Sequence, residues 1–266
     1  MPARAMWKGL IEFDGVATPV KLYAAIEDRG VHFNLLHDQD MVRLRQRMVN
    51  AITGNEVEPT DMRKGYEVEP GRFVLVHQEE LDALEPAESR TIDVVQCVDP
   101  VEVGQQWYDR PYYLGPDGNA ERYWALVDAL EKQKKIAIVR WVMRKKQYTG
   151  AIRVERDALM LITLRSPAEL IDPREVPRPA GRKLDSRELR MAEQLISALE
   201  GEFNPADFRN VYIDRVRDLV ERKAKGQKVD LPKPREFKPR RESLESMLRA
   251  SIDAAKREKK KVRAHA

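Results

Sequence analysis

Residues 132–154 read KQKKIAIVRWVMRKKQYTGAIRV and carry eight Lys or Arg and no Asp or Glu, in a chain that holds 44 acidic residues. Read as a strand, IAIVRWVM alternates its side chains between two faces. Ala137, Val139, Trp141 and Met143 then take one side, and Arg140, Arg144 and Lys146 the other. The expectation is an apolar underside beneath a basic stripe. Cations two residues apart on one strand face lie ~7 Å from each other, which repels unless a polyanion crosses them. A solvated face would account for one such strand, but a second stripe repeats the pattern. In MVRLRQRMV (41–49), Arg43, Arg45 and Arg47 share one face and Leu44 and Met48 the other. Two cationic faces favour a nucleic-acid surface.

Working outward, WKGLIEF (7–13) alternates and VATPVKLY repeats the pattern after the Asp14-Gly15 turn, which reads as an opening hairpin. VHFNLL (31–36) and 42–49 read as further strands. A Gly/Pro/Asn-rich excursion from Thr53 to Gly65 follows, with Arg63 and Lys64 near its end. FVLV (73–76) is a continuous apolar run, the pattern of a strand buried on both faces. QEELDAL reads as a brief helix and TIDVVQCV (91–98) as a strand. Tyr112, Tyr113 and Leu114 precede a Gly-Pro-Asp-Gly turn, and 119–132 has the apolar spacing of a helix. AIRVE and ALMLITL add two more strands after a turn near Lys146. Many short strands, mostly local in order, predict an antiparallel barrel.

The proline-rich stretch Pro167–Pro179 ends the strand region, and the remainder is helical. LDSREL (184–189) offers an N-cap Asp185, a capping-box Glu188 and a Leu184–Leu189 staple, with Gly201 as the C-terminal stop. Phe203-Asn204-Pro205 predicts a second helix start, with Asn204 as N-cap and Phe203 stapled to Phe208. KVDLPKPREFKPRR is proline-spaced and basic, hence a linker. A short helix after it places Leu244, Met247, Leu248 and Ile252 on one face before the chain dissolves into lysine.

Composition bounds the function. The segment from Arg222 onward carries 16 Lys and Arg against 6 Asp and Glu, so the body before it is mildly acidic despite its basic stripes. The single cysteine, Cys97, excludes an internal disulfide framework and a cysteine-cluster metal site, as suits a reducing cytosol. The N-terminus has no long apolar run, and no stretch approaches the ~18 apolar residues of a membrane span. A soluble protein that stays inside the cell is the expectation. His32, His37, His77 and His265 lack partners at metal-ligand spacing. No glycine pattern suits a nucleotide, and Cys97 has no neighbouring His or Lys to activate it. No catalytic residues, metal or cofactor are expected.

The chain resembles the Ku family of DNA-end-binding proteins in its short bacterial form. The stretches that carry the likeness are WKGLIEF with TPVKLYAA, VHFNLLH, KGYEVEPGRFVLVHQEELDAL, RPYYLGPDG and AEQLISALEGEFNPADFRNVYIDRVRDLVERKAKG. Five in register over most of the chain is a specific match. The resemblance implies a mostly β protein with a helical C-terminal region, in which a Ku-type antiparallel barrel pairs into a homodimeric ring around duplex DNA. Residues 1–180 would form the barrel with its DNA-encircling bridge, 181–226 a helical dimer brace, and 227–266 a basic flexible tail with a docking helix. The implied role is sequence-independent binding of double-stranded ends in non-homologous end joining, with recruitment of an ATP-dependent DNA ligase, in the cytoplasm at the nucleoid. Ring binding is blind to sequence, so contacts should run to phosphates. Arg43, Arg45, Arg47, Arg63, Lys64, Arg110, Arg140, Arg144, Lys145 and Lys146 are the candidates, and Leu244, Met247, Leu248 and Ile252 would meet the ligase. A general nucleoid binder working through the tail is the alternative.

Overall fold

The computed structural model describes residues 4–118, 120–177, 181, 185–228 and 245–254. Among these residues nine strands fall at β1 (Trp7–Phe13), β2 (Val16–Ala24), β3 (Lys64–Glu69), β4 (Arg72–Val76), β5 (Thr91–Val98), β6 (Tyr108–Pro116), β7 (Ile136–Met143), β8 (Lys146–Glu155) and β9 (Ala158–Leu164). Helices are α1 (Gln78–Ala83), α2 (Ala120–Gln133), α3 (Ser186–Leu199) and α4 (Val211–Ala224), and residues 245–254 are also helical. The chain divides into two units, Met1–Arg29 with Asn34–Glu175, and Gly30–Phe33 with Val176–Ala266.

In the first unit β1-β2-β6-β9-β8-β7-β5 close into a barrel. Every pairing is antiparallel except β1 with β5, a short parallel contact of Leu10, Ile11 and Glu12 with Thr91, Ile92 and Asp93 that seals the barrel. Alternation drives the interior: Ala137, Val139, Trp141 and Met143 of β7 are all buried, as their spacing predicts. They pack with Ile11, Val20, Leu22, Ile92, Leu114, Ile152, Leu159 and Leu161. Tyr123, Val127 and Leu130, four and three residues apart on α2, join the same core. The Tyr123 hydroxyl donates to the Leu114 carbonyl at 2.6 Å and accepts the Leu159 amide at 2.9 Å, bridging the partners Leu114 and Leu159 of β6 and β9. Gly150 is required by packing, because a Cβ there would meet the Trp141 ring at 2.7 Å and the Ile162 carbonyl at 2.8 Å.

The structure departs from the sequence reading at five places. Residues 31–36 and 42–49 are not continuous strands: they meet their neighbours only at the bridges Leu36–Arg43 and Val49–Glu56. Their alternation lacks a ladder to join. FVLV, expected to be buried on both faces, lies in β4, which pairs with β3; with no layer over this two-stranded sheet among the described residues, Phe73, Val74 and Leu75 stay exposed. Arg144 does not continue the β7 face: it and Lys145 are the two left-handed residues (φ 51° and 64°) of the β7–β8 turn, the geometry that matches strand twist in a two-residue hairpin. Asn204-Pro205 opens only a single 3-10 turn, and α4 is capped instead by Asn210, whose side chain accepts the Tyr212 and Ile213 amides. Gly201 is not a left-handed stop, since α3 leaves directly through an extended Glu200.

The Asp185–Glu188 capping box is formed as expected, Phe203 stacks on Phe208 at 5.3 Å, and Leu184 lies outside the described residues. Met191, Val216 and Ile252 are the buried apolar residues of the second unit among those described. Arg187 of α3 holds Glu245 at 2.9 Å.

Candidate nucleic-acid interface

The candidate cations fall into two groups in the first unit. One lies on the segment between β2 and β4. It is held by main-chain bonds such as Leu44 to Leu35 and Val57 to Met48, with the β3–β4 hairpin following. Arg43 and Arg45 are exposed, and neither has an ion pair among the described residues. Arg47 does: Glu56 accepts it at 2.5 Å. Arg63 folds back on its own backbone, donating to the Thr60 and Met62 carbonyls, and Lys64 donates to the Gln78 amide oxygen at 2.8 Å.

The second group is on the barrel. Arg140 is exposed on the outer face of β7, opposite Thr149 on β8 and Asp93 on β5. Directly paired antiparallel residues point to the same side. Lys146, paired with Met143, therefore starts on the core side of the sheet and not on that of Arg140. The three residues expected to share a face do not, because the two-residue turn resets the alternation. Lys145 is bound to Glu85 at 2.9 Å, and that carboxylate holds its ammonium above the usual lysine range. Arg110 stands on β6, three strand steps from β7, with Asp109 at 3.9 Å. Arg140, Arg144 and Lys146, like Arg43 and Arg45, have no ion pair among the described residues. Five of the ten cations are thus uncommitted, and five are held by carboxylates, an amide or carbonyls.

Apolar exposure accompanies the first group. Phe73 is 59% exposed, Tyr66 70% and Ile52 94%, with Leu35, Leu44 and Met48 also open. One basic concavity escaped the sequence reading. Lys134, Lys135, Arg153 and Arg156 line a hollow of about 280 Å³ at the opposite end of β7 and β8 from the Arg144 turn. Its signal was present in the run Lys132–Lys135, but only the cross-strand packing adds Arg153. Among the described residues no cluster of His, Cys, Asp or Glu could hold a metal ion, and no helix is long and apolar enough to cross a membrane.

The expected ligase-facing stripe divides. Leu244 lies outside the described residues; Met247 is 44% exposed, Leu248 half-buried and Ile252 buried.

The fold is a closed barrel that carries exposed cations without ion pairs among the described residues, together with an exposed two-stranded sheet. Comparison with known proteins is specific. The family described as the Ku70/Ku80 beta-barrel domain matches residues 12–191. The non-homologous end joining protein Ku of Anaeromyxobacter sp. (strain K) is 37% identical over 257 residues, covering 96% of this chain and 87% of that protein. The protein of that name from Pseudomonas aeruginosa is 38% identical over 230 residues, 85% of this chain and 78% of its own length. The non-homologous end joining protein Ku 2 of Geotalea uraniireducens is 35% identical over 239 residues, 90% and 93% of the two chains. This chain belongs to the Ku family. Among solved structures, the SPOC domain of human PHD-finger protein 3 aligns with 61% of this chain and 97% of its own at a TM-score of 0.30 and 12% identity.

Proposed function

We propose that this protein binds the ends of double-stranded DNA, without regard to base sequence, as a homodimeric ring in double-strand-break repair by non-homologous end joining. The observation that carries the reading is the segment between β2 and β4, where uncovered apolar side chains stand beside Arg43 and Arg45, which have no ion pair among the described residues. Contiguous exposed apolar surface marks a protein interface. A second copy, related by a two-fold axis, would cover it and close a ring. Uncommitted arginines in the channel then meet phosphates, which carry no sequence information. The family membership and the names of the relatives support the same role. Residues 1–180 supply barrel and bridge, 181–226 brace the dimer, and 227–266 form the basic tail. The protein is a binding component and not an enzyme, and it recruits and stimulates an ATP-dependent ligase through its tail. Because Ile252 is buried and Glu245 is tied to Arg187, ligase docking engages Met247 first. Full use of Leu248 and Ile252 requires helix 245–254 to leave α3.

Competition settles the central claim. Linear duplex should displace a labelled linear probe, while covalently closed circular duplex of equal length should not. Equal competition would instead support a general nucleoid binder acting through the tail, whose charge is the feature favouring that alternative. A monomer in solution would remove the ring.

A further inference from the structure

A pocket of about 570 Å³ opens at the end of the barrel that carries the β7–β8 turn, where β6 and β8 begin and β9 ends. Its size falls within the roughly 300–1,000 Å³ of small-ligand sites, and barrel mouths are a common place for them. Two of its lining side chains are aromatic, Trp107 and Tyr148, both half-buried. The Trp107 carbonyl accepts the Arg165 amide at 2.8 Å, which fastens that residue to the end of β9. The Tyr148 ring stacks on the core residue Trp141, with centroids 5.3 Å apart and planes at 21°. The barrel thus holds both rings in place.

Charge is arranged in a way that selects the ligand. Inside the pocket, Asp109 holds Arg165 at 3.1 Å, and the other lining carboxylate, Glu169, accepts the Ser166 amide at 2.6 Å. One basic side chain against two acidic ones leaves no place for a phosphate, but a flat neutral ring is accepted. The available cations stand at the rim. Lys146 lies on the same strand face as Tyr148, two residues and ~7 Å away. Arg140 is the cross-strand partner of Thr149, which lines the pocket, so the two side chains leave the sheet on one side. Neither cation has an ion pair among the described residues. A neutral aromatic hollow with cations outside it matches a nucleotide, whose base stacks while its phosphates stay at the surface. A base within duplex is already paired and stacked, which leaves unpaired nucleotides as the ligand. We propose that this pocket takes the base of an unpaired nucleotide in the single-stranded overhang of a DNA end, against Trp107 and Tyr148, with the adjoining phosphates at Lys146 and Arg140. The inference rests on the end-binding reading above and adds to it a preference for overhanging over blunt ends.

The test uses the full chain and three linear duplexes of equal length: one blunt, one with a short overhang carrying 2-aminopurine, and one whose overhang is abasic. The overhanging duplex should bind about tenfold tighter than the blunt one, and the abasic overhang should lose most of that gain, because stacking and not charge supplies it. Binding should quench 2-aminopurine in the overhang and not at an internal, paired position. Trp107→Ala should abolish both preference and quenching and leave affinity for blunt duplex unchanged, while Trp107→Phe keeps a stacking ring and most of the effect. The first results need no variant, so the parent chain decides the matter if Trp107→Ala fails to fold. Equal affinity for overhanging and blunt duplexes, full gain from the abasic overhang, or an unquenched overhang base would each overturn the inference, as would retained quenching in folded Trp107→Ala. Equal competition by closed circular duplex, with the overhang base still quenched, would instead overturn the end-binding reading and uphold the pocket.

Discussion

Substituting Arg43→Ala with Arg45→Ala tests the phosphate-contact account where the structure makes it most specific. Both side chains are exposed and neither has an ion pair among the described residues, whereas Arg47 two residues on is bound to Glu56. Each neutralised phosphate contributes about 0.9 to the slope of log affinity against log salt. The double substitution removes two cations per protomer, hence four contacts per dimer, and should make the slope shallower by about 3.6. A parent ring that neutralises about six phosphates has a slope of about −5, so most of the salt dependence should vanish. Arg47→Ala should change the slope far less, because that charge is already offset. Glu56→Gln should act in the opposite direction, freeing Arg47 in both protomers and steepening the slope by about 1.8. Anisotropy of a labelled linear duplex between ~50 and ~200 mM salt gives all four slopes, and circular dichroism checks folding. An unchanged slope in the double variant, or an Arg47→Ala effect as large as the Arg43/Arg45 one, refutes the reasoning.

Three further outcomes follow from named contacts. Tyr123→Phe strips the hydroxyl shared by the Leu114 carbonyl and the Leu159 amide and should cost about 1–3 kcal/mol, read as a lower urea midpoint at constant m; an unchanged midpoint would show that the bridge is dispensable. Arg144→Asn removes charge at a left-handed position (φ 51°) that Asn tolerates well, so thermal stability should hold or rise while the salt slope falls by about 1.8 per dimer; loss of stability would contradict the turn assignment. The Lys21 ammonium, with Lys8 farther off, holds the Asp117 carboxyl below the usual carboxylate range. A depressed carboxyl contributes stability that is full above its unfolded pKa of ~3.9 and is lost as pH falls through the folded value. Asp117→Asn should therefore flatten the acid limb of the stability profile and, because the same carboxylate raises the Lys21 ammonium, also weaken the loss of stability at alkaline pH; an unaltered acid limb would count against the pairing.

Much of the barrel was legible because its signals are local. The buried positions 137, 139, 141 and 143 of β7, the bounds of β5 and the Asp185–Glu188 cap follow from alternation and end chemistry within a few residues. What only the tertiary structure decided depends on distant partners. Period-two alternation does not say whether a strand has a neighbour, so 42–49 read as a strand although its backbone pairs only through two isolated bridges among the described residues. Apolar content does not say whether a layer will cover it, so β4 read as buried when its one partner among the described residues is β3. Which arginines remain available was equally hidden, since Glu56 and Glu85 reach Arg47 and Lys145 across 9 and 60 residues. Local chemistry determined which elements form; the closing of the barrel, by fixing which surfaces and charges lose their partners to water, decided what those elements are left free to bind.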